Sequence, residues 1–253
     1  MRLLVRGGRV IDPASGLDAQ ADVLIENGNI VGVGPGLSQS GEVFDATGMI
    51  VAPGFIDMHV HLREPGFEHA ESIETGSRAA AAGGFTSICP MPNTSPVNDN
   101  ATVTSYIIEK ARRTAPVNVY PIGAITKGSA GEELAAIGSM KRAGAVAISD
   151  DGRPVMNARV MRRAMEFANN LGIPVINHCE DLHLSSGGDM HEGIESVRLG
   201  LRGIPAASED VMVARDILLA ELTGVHYHIA HISSSRSVAI DRKSTRLNSS
   251  HTD

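Results

Sequence analysis

Tryptophan is absent from the chain, and phenylalanine and tyrosine together contribute only eight of its 253 residues. The two cysteines, Cys89 and Cys179, form no CxxC pair, so the sequence predicts neither a disulfide framework nor a cysteine zinc site. No apolar run approaches the roughly 18 residues of a membrane helix. The N-terminus also lacks the basic and apolar regions of a signal peptide. We therefore expect a cytoplasmic protein that does not contact a membrane.

Basic charge is scarce as well. The chain has 22 lysines and arginines against 29 aspartates and glutamates, which gives a formal net charge of -7. Because nucleic-acid surfaces are usually basic, we expect no nucleic-acid partner. The balance does not exclude an anionic small-molecule substrate, since local charge in a cleft can oppose the net charge.

The first 50 residues consist of short β-prone runs separated by turn signals. Asn27-Gly28 stands between two apolar runs and predicts a β-hairpin. Gly7-Gly8 and Gly34-Pro35-Gly36 predict further turns. This pattern indicates a small antiparallel β domain over residues 1–50.

From Met49 onward, apolar strand-like runs alternate with alanine- and charge-rich helical stretches. Repeated βα units predict a parallel sheet with helices outside it. Six strand candidates are visible, at Gly54–Met58, Thr86–Cys89, Asn118–Pro121, Ala145–Ile148, Pro174–Asn177 and Val225–Ala230. The helical stretches are Glu71–Ala82, Thr102–Arg113, Glu132–Ala143, Ala158–Leu171 and Glu209–Leu222, and we expect Gly83, Gly144, Gly172 and Gly224 to cap helices.

A (β/α)₈ barrel needs eight such units. We therefore predict an α/β fold, an incomplete (β/α)₈ TIM-type barrel over residues 51–240. The remaining segment, Asp241–Asp253, reads DRKSTRLNSSHTD and has no helical periodicity and no apolar face. It resembles the translation of a common DNA-sequencing adapter. We predict a non-native tail over 241–253, and a polar native terminus is the alternative.

Histidines and an aspartate stand where the predicted strands end. His59 and His61 are two residues apart, so on a strand their imidazoles share one face. Asp151, His178 and His231 follow three later strands. Each residue alone fits a satisfied polar side chain or a capping aspartate. Together they form a set of nitrogen and oxygen donors that suits zinc, at the barrel end where active sites lie.

Strand alternation separates two further histidines from this set. In a regular strand His231 shares a face with Val225 and Tyr227, so we assign His226 and His228 to the opposite face as structural or supporting residues.

Two further residues could bind a carboxylate. Arg63 closely follows His61 and could hold a substrate carboxylate with two hydrogen bonds, or could form a loop salt bridge. Asn93 follows the second strand and could bind the same carboxylate or form an Asx turn before Pro96.

Taken together, these residues resemble the amidohydrolase superfamily, and within it the type I dihydroorotases. The similarity covers most of the chain up to about Ile240. The stretches that carry it are GFIDMHVHLREPGFEH (Gly54–His69), GGFTSICPMPNTSPV (Gly83–Val97), GAVAISDDGRPV (Gly144–Val155), INHCED (Ile176–Asp181) and HIAHISS (His228–Ser234).

The resemblance implies two Zn²⁺ ions, one held by His59 and His61, the other by His178 and His231, with Asp151 between them. It also implies that Arg63 and Asn93 bind the carboxylate of dihydroorotate or carbamoyl aspartate. Related hydantoinases and allantoinases use a carboxylated lysine as the bridge. The stretch Ala147–Asp151 contains no lysine, which favours the dihydroorotases.

The implied activity is zinc-dependent, reversible hydrolysis of the cyclic amide of dihydroorotate in pyrimidine biosynthesis. The family's general acid/base is an aspartate after the eighth strand, so we expect no catalytic residue of that kind within this chain and little activity from it alone. Two alternative functions remain. The protein could be another cyclic amidase, such as a hydantoinase or an allantoinase. It could instead be a non-catalytic partner of aspartate transcarbamoylase. As partners we expect a second copy of the chain in a homodimer, or aspartate transcarbamoylase in a complex.

Overall fold

The computed structural model describes residues 1–38 and 41–249, and the side chains of this set through residue 244. It consists of two units, Met1–Phe55 and the chain from Ile56 onward, which are described separately. The strands are β1 (Arg2–Asp12), β2 (Leu17–Glu26), β3 (Asn29–Gly34), β4 (Glu42–Asp45), β5 (Ile50–Val51), β6 (Phe55–Val60), β7 (Phe85–Pro90), β8 (Asn118–Val119), β9 (Ile122–Gly123), β10 (Ala147–Ile148), β11 (Val175–Asn177), β12 (Met190–His191), β13 (Gly203–Ile204) and β14 (Tyr227–Ile229). The helices are α1 (Ile73–Ala82), α2 (Ala101–Thr114), α3 (Ile137–Ala143), α4 (Ala158–Leu171), α5 (Leu182–Ser185), α6 (Ile194–Leu199), α7 (Ala207–Thr223) and α8 (Ser235–Ser249), with a short 3₁₀ helix at Lys127–Ser129.

The first unit is a sheet with the order β3-β2-β1-β4, in which β5 also pairs with β1. The hairpin between β2 and β3 is present, and its turn residues Asn27 and Gly28 have φ angles of 50° and 81°. This is the left-handed backbone that an Asn-Gly hairpin turn needs. The expectation of a purely antiparallel sheet is wrong, because β4 and β5 both run parallel to β1.

Gly7-Gly8 does not turn the chain. β1 runs through both glycines and shifts its register against β2 between Val5 and Gly8, as a β-bulge does. Gly7 has a φ of +71°, and its N–H donates to Asp22 Oδ1 at 2.8 Å. A Cβ on Gly8 would lie 2.5 Å from Val51 Cγ2. The glycines therefore permit a bulge and a close approach of β5.

The second unit contains six strand positions of a (β/α) barrel, in two sheets ordered β6-β7-β8 and β9-β10-β11-β14. The short strands β8 and β9 together occupy one strand position of the barrel. Tyr120 N–H donates to Ile88 O on one side, and Val146 N–H donates to Pro121 O on the other. The pairs β7–β8, β9–β10, β10–β11 and β11–β14 are all parallel. The predicted α/β architecture with six βα units is confirmed, two short of a closed eight-unit barrel.

The strands bury side chains on two faces. One face carries a cluster to which five strand positions contribute, formed by Cys89, Met91, Ile122, Ala147, Ile176 and Ala230. The other face packs against helices, and its largest cluster joins Ile148 and Val175 to α4. α4 is placed by a side-chain N-cap from Asn157, by apolar residues at helical spacing, and by Gly172 in the left-handed conformation at its end. Alternation between these faces determines which side chains reach the site.

The structure departs from one predicted helix and contains elements that the sequence pattern did not indicate. The helix expected over Glu132–Ala143 begins only at Ile137, because Ala135 N–H donates to Ile125 O and keeps the preceding residues in a loop. Gly83 caps the end of α1 as expected, with its N–H bonded to helix carbonyls, although its φ is -83° and the positive φ falls on Gly84. An excursion between β11 and α7 carries α5, α6 and the two-stranded β12–β13 sheet, which the apolar pattern did not indicate. α8 runs on to Ser249 through a segment without a helical pattern.

Residues 250–253 of the expected tail lie outside the described residues, and the non-native origin of 241–253 stays a prediction. Among the helices of the described part of the chain, none combines the length and the apolar character that a membrane crossing requires.

Candidate metal centre

His59 and His61 lie at the carboxyl end of β6. Their neighbours Val60 and Leu62 pack in the apolar layer that also includes residues of α1 and α2. Strand alternation therefore turns both imidazoles to the opposite face. The two ring centroids are 5.2 Å apart, and the Nε2 atoms of the two rings lie 3.3 and 3.6 Å from oxygens of the Asp151 carboxylate.

Asp151 follows β10 and is positioned by its neighbour Asp150. The Asp150 carboxylate is fully buried and accepts hydrogen bonds from Ile125 N–H at 2.8 Å, from Thr126 N–H at 3.1 Å and from the Thr126 hydroxyl. Burial raises the pKa of Asp150 to about 6, against the lowering effect of these hydrogen bonds. These contacts join the loop after β10 to the loop after β9. Asp150 is not among the residues predicted for the site, although the repeated aspartate in Ser149-Asp150-Asp151 is a signal for it.

His178 follows β11 by regular alternation. Ile176 packs in the inner cluster, and His178, two residues later, lies on the same face. Its Nδ1 is 3.0 Å from His231 Nε2, and its Nε2 is 2.9 Å from Glu180 Oε2. His178 therefore turns one ring nitrogen toward the other site residues and the second toward a carboxylate.

His231 reaches the site by a break in strand alternation, so the predicted phase of β14 is wrong. Tyr227 and Ile229 pack against the cluster formed by α7, and Ala230 packs in the inner cluster. The inward face of the strand is thus that of His228 and Ala230. His231 has a φ of +36°, which is uncommon for a residue with a side chain and redirects its imidazole. His228 is half-buried on the inner face, and burial lowers its pKa, with further lowering from His226 and His231.

The five side chains form two triads that share Asp151, His59–His61–Asp151 and Asp151–His178–His231. Asp151 Oδ1 lies 3.3 Å from His59 Nε2, 3.9 Å from His178 Nδ1 and 3.7 Å from His231 Nε2. Asp151 Oδ2 lies 3.6 Å from His61 Nε2. Ligands at zinc distances of ~2.0–2.1 Å in a tetrahedron are themselves ~3.3 Å apart. The observed separations therefore match donors that converge on a common cation, and the residues fit zinc in both chemistry and spacing.

Burial at the site favours the neutral imidazole of His59. Burial lowers the pKa of His59, and the nearby Asp151 opposes this effect without overcoming it. The neutral imidazole is the form that binds a metal.

Arg63 lies in the loop after β6 with a φ of +59°. The loop is held by the next residue, Glu64, whose buried carboxylate accepts from Ile73 N–H at 2.9 Å and from Tyr106 Oη–H at 2.9 Å. Lys110 Nζ is 3.3 Å from the same carboxylate. Within the described part of the chain, no carboxylate pairs with the Arg63 guanidinium, so the alternative of a loop salt bridge is not realised.

Asn93 contacts one of the candidate metal-binding histidines directly. Its Oδ1 lies 3.0 Å from His61 Nδ1 and accepts a hydrogen bond from that nitrogen. That tautomer leaves His61 Nε2 facing Asp151. The amide oxygen of Asn93 thus orients His61, and only its Nδ2 group remains for the carboxylate role first assigned to it.

A barrel with histidines and an aspartate at its strand ends defines the class of amidohydrolase barrels, and comparison with solved structures supports this class. The L-hydantoinase (dihydropyrimidinase) of Arthrobacter aurescens superposes with a TM-score of 0.79 at 19% identity, over 97% of this chain and 56% of that one. A D-hydantoinase from Bacillus sp. AR9 superposes with a TM-score of 0.75 at 26% identity, over 97% of this chain and 55% of that one.

The sequence comparison gives the family. A family model described as Dihydro-orotase-like matches residues 48–237, so the chain belongs to the dihydroorotase-like family. It is 76% identical over 241 residues to a dihydroorotase of Solibacter usitatus, and 61% identical over 244 residues to one of Pelotomaculum thermopropionicum. These matches cover 95% and 96% of this chain but 56% and 57% of the relatives. The chain thus spans somewhat more than half the length of the curated relatives it matches.

Proposed function

We propose that this chain is the metal-binding part of a dihydroorotase, which reversibly hydrolyses the cyclic amide of dihydroorotate to N-carbamoyl-aspartate. One observation carries the proposal: four imidazoles from three strand ends lie within 3.9 Å of the single Asp151 carboxylate. The names of the relatives supply the reaction.

The proposed cofactor is a pair of Zn²⁺ ions. His59 and His61 would hold one ion, His178 and His231 would hold the other, and Asp151 would contact both. When bound, the pair supplies Lewis acidity and activates water as the nucleophile. The fit rests on the donor types and on separations close to those within a zinc tetrahedron.

The remaining roles belong to the chain's own side chains. Arg63, on a loop held by buried Glu64, would bind the carboxylate of dihydroorotate or carbamoyl aspartate with two hydrogen bonds. The Nδ2 group of Asn93 would donate to the same carboxylate while its Oδ1 keeps His61 oriented. Two anchors on one carboxylate fix the ring relative to the histidines, and such orientation accounts for a large part of catalysis.

We propose that the general acid/base aspartate belongs to the part of the relatives that this chain does not span. Chain 1–253 by itself would then bind metal and ligand but turn over dihydroorotate poorly. The complete protein would work in the cytoplasm, as a homodimer or in a complex with aspartate transcarbamoylase.

The first test uses the chain as it is. We expect it to bind zinc when titrated against a chromophoric chelator, and to bind N-carbamoyl-aspartate by calorimetry only in the zinc-loaded form. Asp151→Ala should abolish zinc binding, whereas Glu166→Ala, which removes an exposed partner of Arg162, should not. A wild-type chain that binds no zinc would overturn the proposed cofactor.

The second test concerns the substrate. Residues 1–240 would be joined to the part of the Solibacter usitatus relative that extends beyond this match, and assayed with dihydroorotate, hydantoin and allantoin. We expect dihydroorotate to be preferred and Arg63→Ala to weaken its use without improving the uncharged rings. A preference for hydantoin or allantoin would favour another cyclic amidase and refute the role of Arg63.

A further inference from the structure

The imidazole of His178 is held at both edges. On one edge, Nδ1 lies 3.0 Å from His231 Nε2 and 3.9 Å from Asp151 Oδ1. On the other edge, Nε2 lies 2.9 Å from Glu180 Oε2. Glu180 belongs to neither metal-binding triad, because it faces the edge of the ring that points away from them. Its carboxylate also accepts a hydrogen bond from the Ser185 side chain, and its contact with the site is made through His178.

The backbone on both sides of Glu180 is held in place by buried and hydrogen-bonded neighbours. Cys179 is buried in the cluster that α7 forms. Asp181 N–H donates to Ser208 O at 2.7 Å, and the Asp181 carboxylate accepts from His183 N–H at 2.9 Å. Because both neighbours are anchored, the Glu180 carboxylate is held within hydrogen-bond distance of His178, two residues earlier.

A carboxylate only accepts hydrogen bonds when it is ionised, so the proton shared with Glu180 must come from His178 Nε2. In a neutral ring, Nδ1 then carries the lone pair and faces Asp151 and His231. A carboxylate on the far nitrogen of a metal-binding histidine also makes the ring a stronger donor.

We propose that Glu180 is a positioning residue that selects Nδ1 of His178 as the metal-binding atom. The inference rests on the proposed function in that it takes His178 to be a metal ligand. Glu180 fixes the tautomer of the ring and strengthens its free nitrogen.

The other triad provides an internal comparison. His61 has the opposite arrangement, since its Nδ1 donates to the neutral amide oxygen of Asn93 and its Nε2 faces Asp151. His61 thus faces Asp151 with Nε2 and donates to an amide oxygen, whereas His178 faces Asp151 with Nδ1 and donates to a carboxylate. Loss of Glu180 should weaken the Asp151–His178–His231 position and spare the His59–His61–Asp151 position.

The test compares Glu180→Ala and Glu180→Gln with the wild-type chain, and uses Glu166→Ala as the control for loss of an exposed glutamate. In a chelator-competition titration, Glu180→Ala should weaken one of two zinc affinities about 10–100-fold and leave the other unchanged. Glu180→Gln keeps an oxygen that can accept the hydrogen bond from His178 Nε2, so the loss of zinc affinity should be smaller. Equal affinities in wild type and Glu180→Ala would overturn the inference.

A second readout needs no metal. Nitrogen NMR of the zinc-free chain distinguishes the protonated ring nitrogen from the bare one. We expect the proton of His178 on Nε2 in the wild type and in Glu180→Gln, and a shift toward Nδ1 in Glu180→Ala. A purely structural role would leave this ratio unchanged. A proton on Nδ1 in the wild type would refute the inference.

The two proposals fail separately. If the wild-type chain binds no zinc, the proposed cofactor fails, and the NMR result still decides whether Glu180 selects the tautomer. If Glu180→Ala does not fold, as judged by circular dichroism, wild type and Glu180→Gln decide. A proton on Nε2 in both supports the inference, and a proton on Nδ1 in either refutes it.

Discussion

The carboxylate of Asp216 in α7 should be among the most sensitive positions for stability. It is fully buried and accepts from Asn177 Nδ2 at 2.6 Å, from Arg215 Nε at 2.7 Å and from Tyr227 Oη–H at 3.1 Å. Burial raises its pKa, and Arg215 opposes the rise most strongly. Because Asn177 ends β11 and Tyr227 begins β14, this one carboxylate ties α7 to the two strands that precede His178 and His231.

The expected loss follows from what each substitution leaves behind. Asp216→Ala leaves a mostly buried guanidinium and two neutral donors without their acceptor, and removing one partner of a buried ion pair costs ~3–5 kcal/mol. Tyr227→Phe removes the hydrogen bond to Asp216 and the contact of the same hydroxyl with Cys179 Sγ, and should cost about 1–2 kcal/mol. Glu74→Ala, which breaks an exposed pair with Arg78, should cost less than about 0.5 kcal/mol.

Urea unfolding of the full chain, followed by circular dichroism, measures this order. With a slope of roughly 1–3 kcal/mol per molar urea, Asp216→Ala should lower the midpoint by at least about 1 M. Tyr227→Phe should fall between Asp216→Ala and Glu74→Ala. If Asp216→Ala unfolds at the same urea concentration as Glu74→Ala, the donors around Asp216 are satisfied without it and the reasoning is refuted.

Three further outcomes are expected. Met165→Ala, in the fully buried cluster of α4, should lower the free energy of unfolding by ~2–5 kcal/mol in the same assay, and a loss under about 1 kcal/mol would contradict the packing. Gly66→Ala should destabilise more than Gly16→Ala, because both have positive φ but only at Gly66 would a Cβ meet Ser95 O, at 2.1 Å; equal losses would contradict this. Since burial lowers the folded-state pKa of His59, the unfolded chain binds its proton first, and stability should fall as the pH drops below 6.5. His59→Gln should reduce that slope in unfolding measured on both sides of pH 6.5, and an unchanged slope would exclude this contribution.

Strand periodicity explains why the sequence indicated which segments meet. Four of the six apolar runs of strand length end in a histidine or an aspartate, and parallel strands bring their carboxyl ends to one edge. For His59, His61 and His178, simple alternation with Val60 or Ile176 suffices to choose the face. The structure brings these side chains together with Asp151 and His231, and their role as metal ligands remains the proposal tested above.

Contacts between distant segments were not predictable in the same way. The left-handed backbone of His231 reverses the face that alternation gives it, and no local sequence signal marks a histidine for that conformation. Gly7-Gly8 has the composition of a turn, but the two glycines form a β-bulge, in which Gly7 N–H donates to Asp22 and Gly8 lies against Val51. The acceptors that orient His61 and His178 depend on side-chain packing, which periodicity does not describe.

The shared carboxylate has an evolutionary consequence. If each triad holds one ion, as proposed, a substitution at His61 or His231 would damage one triad and leave the three members of the other in place, so a lineage could pass through a one-ion state and recover. Asp151 offers no such route, because it is the member common to both triads. We therefore expect one-ion descendants of this centre to have arisen through changes in the histidines, with the aspartate the last of the five to vary.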